Sequence, residues 1–308
     1  MHGVSRFLLN RLWHSFLSLI AITLVVYLML NASGDPATML LPDTASQEAI
    51  QEVRRTLGLD QPVALRYFSF LTNALTGDLG TSFTYRQPAL RIVVAHVPAT
   101  VQLALTGMAV ALFISIPLGV LAARFHGSAI DKLVLGLALL GQSMPVFWLG
   151  MLVIMVFAVN LAWLPTGGTG TWRHLVLPGL VLGWFANGLI ARLVRSCMLE
   201  VLSQDYIRTA NSKGLGQTAV VLKHALKNAA IPVITVAGMQ LAAMMGGTVV
   251  TEIVFAWPGV GRLTLDAISG RDYPVAMAAI LFIAFMFIIV NFIVDMAYTF
   301  VDPRVRFE

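Results

Sequence analysis

Residues 100–123 read TVQLALTGMAVALFISIPLGVLAA, an apolar run without one charged side chain. About 20 such residues, wound as a helix, cross the ~30 Å hydrocarbon core of a bilayer. This stretch alone therefore predicts a membrane-spanning helix. Working outward, comparable runs occupy Leu12 to Leu30, Leu133 to Val159, Leu175 to Val194, Val233 to Val254 and Val275 to Phe300. The expected fold class is all-α: a polytopic membrane protein with six transmembrane helices. Composition agrees, since 58% of the 308 residues are hydrophobic and 11% charged, under half of the roughly 25% charged residues of an ordinary soluble protein. Arg6 and Arg11 precede a first run too long for a signal-peptide core, so that run reads as a retained signal anchor.

Three parts are expected: an N-terminal tail and first span (1–32), an extracytoplasmic helical segment (33–96), and a five-helix core (97–308). The polar segment opens with Gly34-Asp35-Pro36. Thr44, three residues before Gln47, has capping-box spacing and predicts a helix from about Ala45 to Leu57, stopped by Gly58 and Pro62. A second amphipathic stretch, Val63 to Leu75, lines up Leu65, Phe68, Leu71 and Leu75. Within the core, Pro117 with Gly119, Pro145, Pro178 with Gly179, and Gly246-Gly247 interrupt the spans. Neighbouring helices or water re-satisfy the backbone at such breaks, and small residues let helices approach closely.

Orientation follows from lysine and arginine. With the N-terminus cytoplasmic, that side carries 12 basic residues against 5 acidic ones, and the opposite side 8 against 9. Both termini are then cytoplasmic, in keeping with an even number of spans. The net charge of +5 is this loop bias, and no basic tract interleaved with aromatics points to nucleic acid. The single cysteine, Cys197, excludes an internal disulfide and a multi-cysteine metal site, and is expected to pack as a small apolar residue.

The connection between the fourth and fifth spans, Glu200 to Ile231, is long for a loop in a compact membrane protein. Asp205 is placed to cap a short helix, Tyr206 to Lys213, that Gly214 ends. A second helix, Thr218 to Asn228, is expected to put Val221, Leu222, Ala225 and Leu226 on one side and Lys223 and Lys227 on the other. Spacing alone allows two readings: a surface loop whose basic face meets anionic lipid, or a rigid docking element for a cytoplasmic partner.

Arg208-Thr209-Ala210, three residues, then Gly214 resembles the EAA-x-x-x-G loop of ABC-importer permeases, in the form of the peptide/nickel branch. That branch serves dipeptide, oligopeptide, nickel and glutathione systems. Asp205-Tyr206-Ile207, Lys213-Gly214-Leu215 and His224-Ala225-Leu226-Lys227-Asn228-Ala229 with Pro232 are similar to it as well. Further landmarks in the family's order are Gly34-Asp35-Pro36, Leu57-Gly58-Leu59-Asp60-Gln61-Pro62, Gly77-Asp78-Leu79-Gly80 and Ser143-Met144-Pro145. Phe255-Ala256-Trp257-Pro258-Gly259-Val260-Gly261-Arg262, Arg271-Asp272-Tyr273-Pro274 and Asp302-Pro303-Arg304 complete them. Arg208 in place of the generic glutamate, and a proline displaced to Pro232, are usual in this branch. The short stretch Asn160 to His174 looks more like nickel- and glutathione-type members than like dipeptide permeases with a long insertion there.

The resemblance implies the fold of a type I ABC importer permease in a bacterial inner membrane. It implies a second, related permease as heterodimer partner, two cytoplasmic ATP-binding subunits and an extracytoplasmic substrate-binding protein. The sequence lacks G-x-x-x-x-G-K-[ST], so ATP and magnesium are expected on the partner ATPases and no cofactor or metal on this chain. Docking is assigned to Asp205, Tyr206, Arg208, Thr209, Ala210, Lys213 and Gly214. Ala210 is expected to allow close approach, Gly214 to make the turn, and Arg208 and Lys213 to make charged contacts.

Candidates for the extracytoplasmic gate or path are Met239, Gln240, Glu252, Phe255, Trp257 and Arg262. The loop from Glu252 to Pro274 reads as a tightly folded plug or an ordinary structured loop, with Glu252 and Arg262 as a possible internal pair. Asp295, near the end of the last span, reads as a structural partner for a basic residue rather than a proton carrier. Two other function classes are disfavoured. An intramembrane enzyme lacks H-E-x-x-H, paired mid-membrane aspartates or a Ser/His pair, and a secondary transporter calls for mid-membrane charges and inverted repeats.

Overall fold

The computed structural model describes residues 2–32, 36–39, 41, 44–56 and 58–301, with the side chains of these except 2–12, 36, 39, 247, 295 and 297–301. The turn at Gly34-Asp35, the landmark at Asp302-Pro303-Arg304 and the pairing of Asp295 lie outside what is described. In chain order the helices are α1 (His2–Ala32), α2 (Gln47–Thr56), α3 (Val63–Leu75), α4 (Ala89–Arg124), α5 (Ala129–Ser143) and α6 (Val146–Val153). They continue as α7 (Arg173–Leu202), α8 (Asp205–Ser212), α9 (Leu226–Gly247), α10 (Val249–Val254), α11 (Val260–Ser269) and α12 (Tyr273–Val301). Stretches Ile154–Asn160 and Val220–Ala225 are π-helical. Among the described residues no strand is present, only an isolated bridge between Thr81 and Pro88.

Five helical stretches are long and apolar enough to cross a bilayer: Trp13–Ala32, Ala89–Arg124, Arg173–Leu202, Gln217–Gly246 and Tyr273–Val294. The remaining predicted span, Leu133 to Val159, is divided. α5 and the helix from Val146 to Asn160 are bent by 105°, so the count is six only if this pair is one span. The cause is local: Pro145 cannot donate its nitrogen, and Met144 before it is extended at φ −85° and ψ 129°. Pro178 and Pro232, by contrast, stay inside continuous helices.

The chain forms two compact units. The first comprises Met1–Ala99 with Pro258–Met286. Leu30, Leu79, Ile92, Val93, Val260, Leu263 and the small residues Ala276, Ala278 and Ala279 make its core. The segment after the first span is not only a cap beyond it, because α3 packs back along α1. The Tyr67 hydroxyl lies 3.0 Å from both the Ile20 carbonyl and the Thr23 hydroxyl, and Arg66 Nη2 donates to Asn31 Oδ1 at 2.8 Å. α2 begins two residues later than the spacing predicts, and Ser46 rather than Thr44 accepts at its N-terminus, from the Ala49 amide at 3.2 Å.

Two landmark motifs meet in this unit. Asp272, 2% exposed, accepts from the Ser82 hydroxyl and from the amides of Phe83 and Thr84 at 3.2 Å each. Ser82 Oγ in turn accepts from the Tyr85 amide at 2.9 Å. The loop is closed so tightly that Arg86 adopts φ +51°, a conformation non-glycine residues rarely hold without tertiary support.

The second unit comprises Thr100–Trp257 with the end of α12 from Phe287. α7 is its centre and packs against α5, α6 and α9. Small residues set these crossings: a Cβ on Gly188 would sit 2.3 Å from the Ala138 carbonyl, and one on Gly119 2.7 Å from that of Ala191. Association of helices in lipid rests on such close packing and on interhelical hydrogen bonds. Ser115 of α4 supplies one, donating to Asn187 Oδ1 at 2.9 Å.

Candidate functional site

The connection between α7 and α9 folds as a module. α7 ends at Leu202, and α8 starts at Asp205, one residue earlier than predicted, with no side-chain cap. Gly214 ends the turn at φ +77°, the left-handed region a glycine enters at no steric cost. Its amide reaches the Asn211 carbonyl at 3.0 Å and that of Leu215 reaches Ala210 at 3.4 Å, which closes the helix end. α8 rests on the π-helical turn Val220–Ala225. Ile207 and Ala210 are buried on one side of the module, as are Val220, Val221 and Ala225 on the other. Asn228 Nδ2 donates to the Tyr206 hydroxyl at 2.8 Å, tying α8 to α9.

Three expectations change here. Ala210 faces the module's own interior, so its small size serves internal packing. No separate second helix ends at Asn228: Gln217–Ala219, the π turn and α9 follow without a break and continue into the span. Leu222 is exposed, not buried with Val221 and Ala225, because the wider π turn shifts the register of its side chains. Asp205, Arg208, Thr209 and Lys213 are exposed, and Tyr206 is partly so. Arg208 pairs only loosely with Asp205, at 3.4 Å.

A second cluster stands seven residues before the end of α7. Arg195 grips Asp131 bidentately, Nε to Oδ1 at 2.6 Å and Nη2 to Oδ2 at 2.8 Å. The Gly127 amide donates to the same Oδ2 at 2.9 Å, and His126 Nδ1 lies 2.9 Å from Arg195 Nη2. Such a fork fixes geometry as well as charge, and it joins the start of α5 to the end of α7. Arg192 adds a bond of 2.6 Å to Gln142 at the end of α5. The sequence offered only a weak signal for Asp131, three residues after Ser128, and none for its partner 64 positions away.

The path candidates are mostly packed residues. Phe255 is buried with Val153, Leu177 and Val181, and its carbonyl accepts from the Gly168 amide at 2.8 Å. Glu252 is fully buried, its Oε1 accepting from Thr100 at 2.8 Å and Thr248 at 3.0 Å. Trp257 is buried and donates its amide to the Glu252 carbonyl at 2.7 Å. Glu252 to Trp257 thus fold as α10 and a tight turn. Arg262 belongs to the other unit and lies 3.7 Å from Asp266. Met239 is exposed and Gln240 half-buried.

A family model described as "Binding-protein-dependent transport system inner membrane component" matches residues 115–307, and one for the N-terminal part of such components matches residues 4–104. The chain belongs to this family of ABC-importer permeases. The permease is 40% identical over 303 residues to the glutathione transport system permease protein GsiC of Salmonella typhimurium, covering 98% of this chain and 99% of that protein. GsiC of Escherichia coli has the same identity and coverage. The dipeptide transport system permease protein DppB of Alkalihalophilus pseudofirmus is 40% identical over 318 residues, 94% of this chain and 96% of its own. Among solved structures, an inward-facing MetNI methionine ABC transporter chain aligns with TM-score 0.57 at 20% identity, over 68% of the permease and 96% of that chain. At that identity the likeness speaks for the fold. The permease is therefore a multi-pass membrane subunit of a transport system.

Proposed function

We propose that the permease forms half of the path by which short peptides, glutathione among them, enter the cell through an ATP-driven importer. The relatives named for glutathione and dipeptides support this substrate class; a nickel or metallophore complex is the alternative within the branch. In this reading the second half of the path is a related permease, and an extracytoplasmic binding protein delivers the substrate. Two cytoplasmic ATPases hydrolyse magnesium-bound ATP, and both termini of the permease lie on their side of the membrane.

One observation carries the reading: α8 is short, exposed on its Arg208 and Thr209 side, and joined to spans α7 and α9 through only short connections, 203–204 before it and 213–216 after it. A groove on an ATPase that held α8 would move two spans at once. The Arg195–Asp131 fork passes that motion to α5. Bistable packings respond to such displacements as rigid bodies. Purification with and without the partner subunits tests this: peptide-loaded binding protein is expected to stimulate ATP hydrolysis only in the assembly. Gly214→Pro is expected to abolish both ATPase association and stimulation while membrane insertion persists. Wild-type ATPase association by Gly214→Pro would refute the docking role.

A further inference from the structure

We infer that the unit built from α1, α3 and the start of α12 binds an anionic phospholipid, its phosphodiester held by Arg66 and Arg86. The first argument is depth. Ile20 lies twelve residues before Ala32, the end of the apolar stretch of α1, or about 18 Å along the axis at 1.5 Å per residue. The Tyr67 hydroxyl nevertheless reaches the Ile20 carbonyl, the Tyr27 and Phe70 rings lie 6.1 Å apart, and Arg66 bonds Asn31. α3 therefore runs alongside the half of a membrane span nearest that end. Its other face carries Leu65, Phe68 and Leu75, exposed by 57%, 65% and 82%. At the depth fixed by α1, lipid is what covers them, as it covers the apolar face of interfacial amphipathic helices.

The second argument is a cavity of about 720 Å³ in the same unit, a size typical of small-molecule sites. Tyr27, Leu30, Phe70 and Met277 give it an apolar wall drawn from α1, α3 and α12. Arg66 and Arg86 line it with Asp78 as the one carboxylate. Asp78 Oδ1 already accepts the Gly80 amide at 2.9 Å. Arg66 spends Nη2 on Asn31, while its Nε is buried without a hydrogen-bond partner. A buried donor left unpaired is costly, and two guanidiniums facing one engaged carboxylate favour an oxyanion. An apolar wall beside a cationic end, at the edge of a span, suits a molecule with both characters. Free phosphate uses only half of the site.

Native mass spectrometry of the assembled transporter tests the assignment, with phosphatidylglycerol titrated against phosphatidylcholine. Phosphatidylglycerol is expected to be retained about tenfold better, because the trimethylammonium of phosphatidylcholine offsets its phosphodiester while phosphatidylglycerol keeps a net negative charge for the two guanidiniums. Arg86→Gln, on an exposed side chain, is expected to remove most of that preference without unfolding, and Arg66→Gln to remove it too. Equal retention of the two lipids, or displacement of phosphatidylglycerol by millimolar inorganic phosphate or a dipeptide, overturns the proposal. In a second arm, Phe68→Trp in bilayers of brominated phosphatidylcholine is expected to add lipid-quenched fluorescence over wild type. Added fluorescence quenched by acrylamide but not by brominated lipid also overturns it.

Discussion

Arg195 and Asp131 show how a residue pair can matter without leaving a trace in local sequence. Each is an ordinary charged residue near the end of an apolar run. Only the fold brings them within 2.6 Å, with the Asp131 side chain 4% exposed and that of Arg195 20%. Removing one partner of such a pair strands the other charge, a loss that solvent around Arg195 softens. Asp131→Ala is therefore expected to lower the thermal midpoint of the purified assembly by several degrees. The double variant Asp131→Leu with Arg195→Met is expected to recover most of the loss, since apolar replacement of both partners is often nearly neutral. A double variant no more stable than Asp131→Ala would mean that the pair itself is not what holds α5 to α7. Ala210 teaches the reverse lesson: its small size was legible, its purpose was not. Ala210→Asp buries a charge inside the α8 module, so loss of ATPase association is expected together with new protease sensitivity between 203 and 220. Leu222→Asp, on an exposed position, is expected to weaken association with that sensitivity unchanged. Co-purification and limited proteolysis separate the two.

At the scale of elements, helices and their apolar periods were legible, but what each helix packs against was not. The span from Leu133 to Val159 reads as one run, yet the proline that ends it at Met144 turns the chain through 105°. The π turn at Val220–Ala225 has no sequence signature in the period of 3.6 residues, which is why Leu222 is exposed where that period groups it with Val221 and Ala225. The pairing of Asp272 with the loop from Ser82 to Thr84 joins positions about 190 residues apart. Both motifs stood out by resemblance, and nothing in either one names the other. Asp272→Ala deprives the buried Ser82 hydroxyl of its acceptor, a loss of about 1–3 kcal/mol, and releases the less buried amides of Phe83 and Thr84. The strained Arg86 backbone is then expected to open, and trypsin cleavage after Arg86 to quicken several-fold in the folded assembly. Unchanged cleavage would show that the bridge between Thr81 and Pro88 is enough to hold the loop.

For the whole molecule, the apolar runs established a polytopic membrane protein, and the family's landmarks established the kind of machine. Neither could show that α3 lies along α1, because that placement comes from the contacts of Arg66 and Tyr67 and not from composition. In the proposed function the α8 module is what makes the permease a subunit: its Arg208 side is exposed, short turns join it to two spans, and the sequence has no G-x-x-x-x-G-K-[ST] motif. The most direct measurement is uptake of radiolabelled dipeptide or glutathione into proteoliposomes containing the permease. Uptake is expected only with the second permease, the ATPases, ATP and loaded binding protein all present, and to vanish with Gly214→Pro. Uptake by the permease alone, without ATP, would contradict the account.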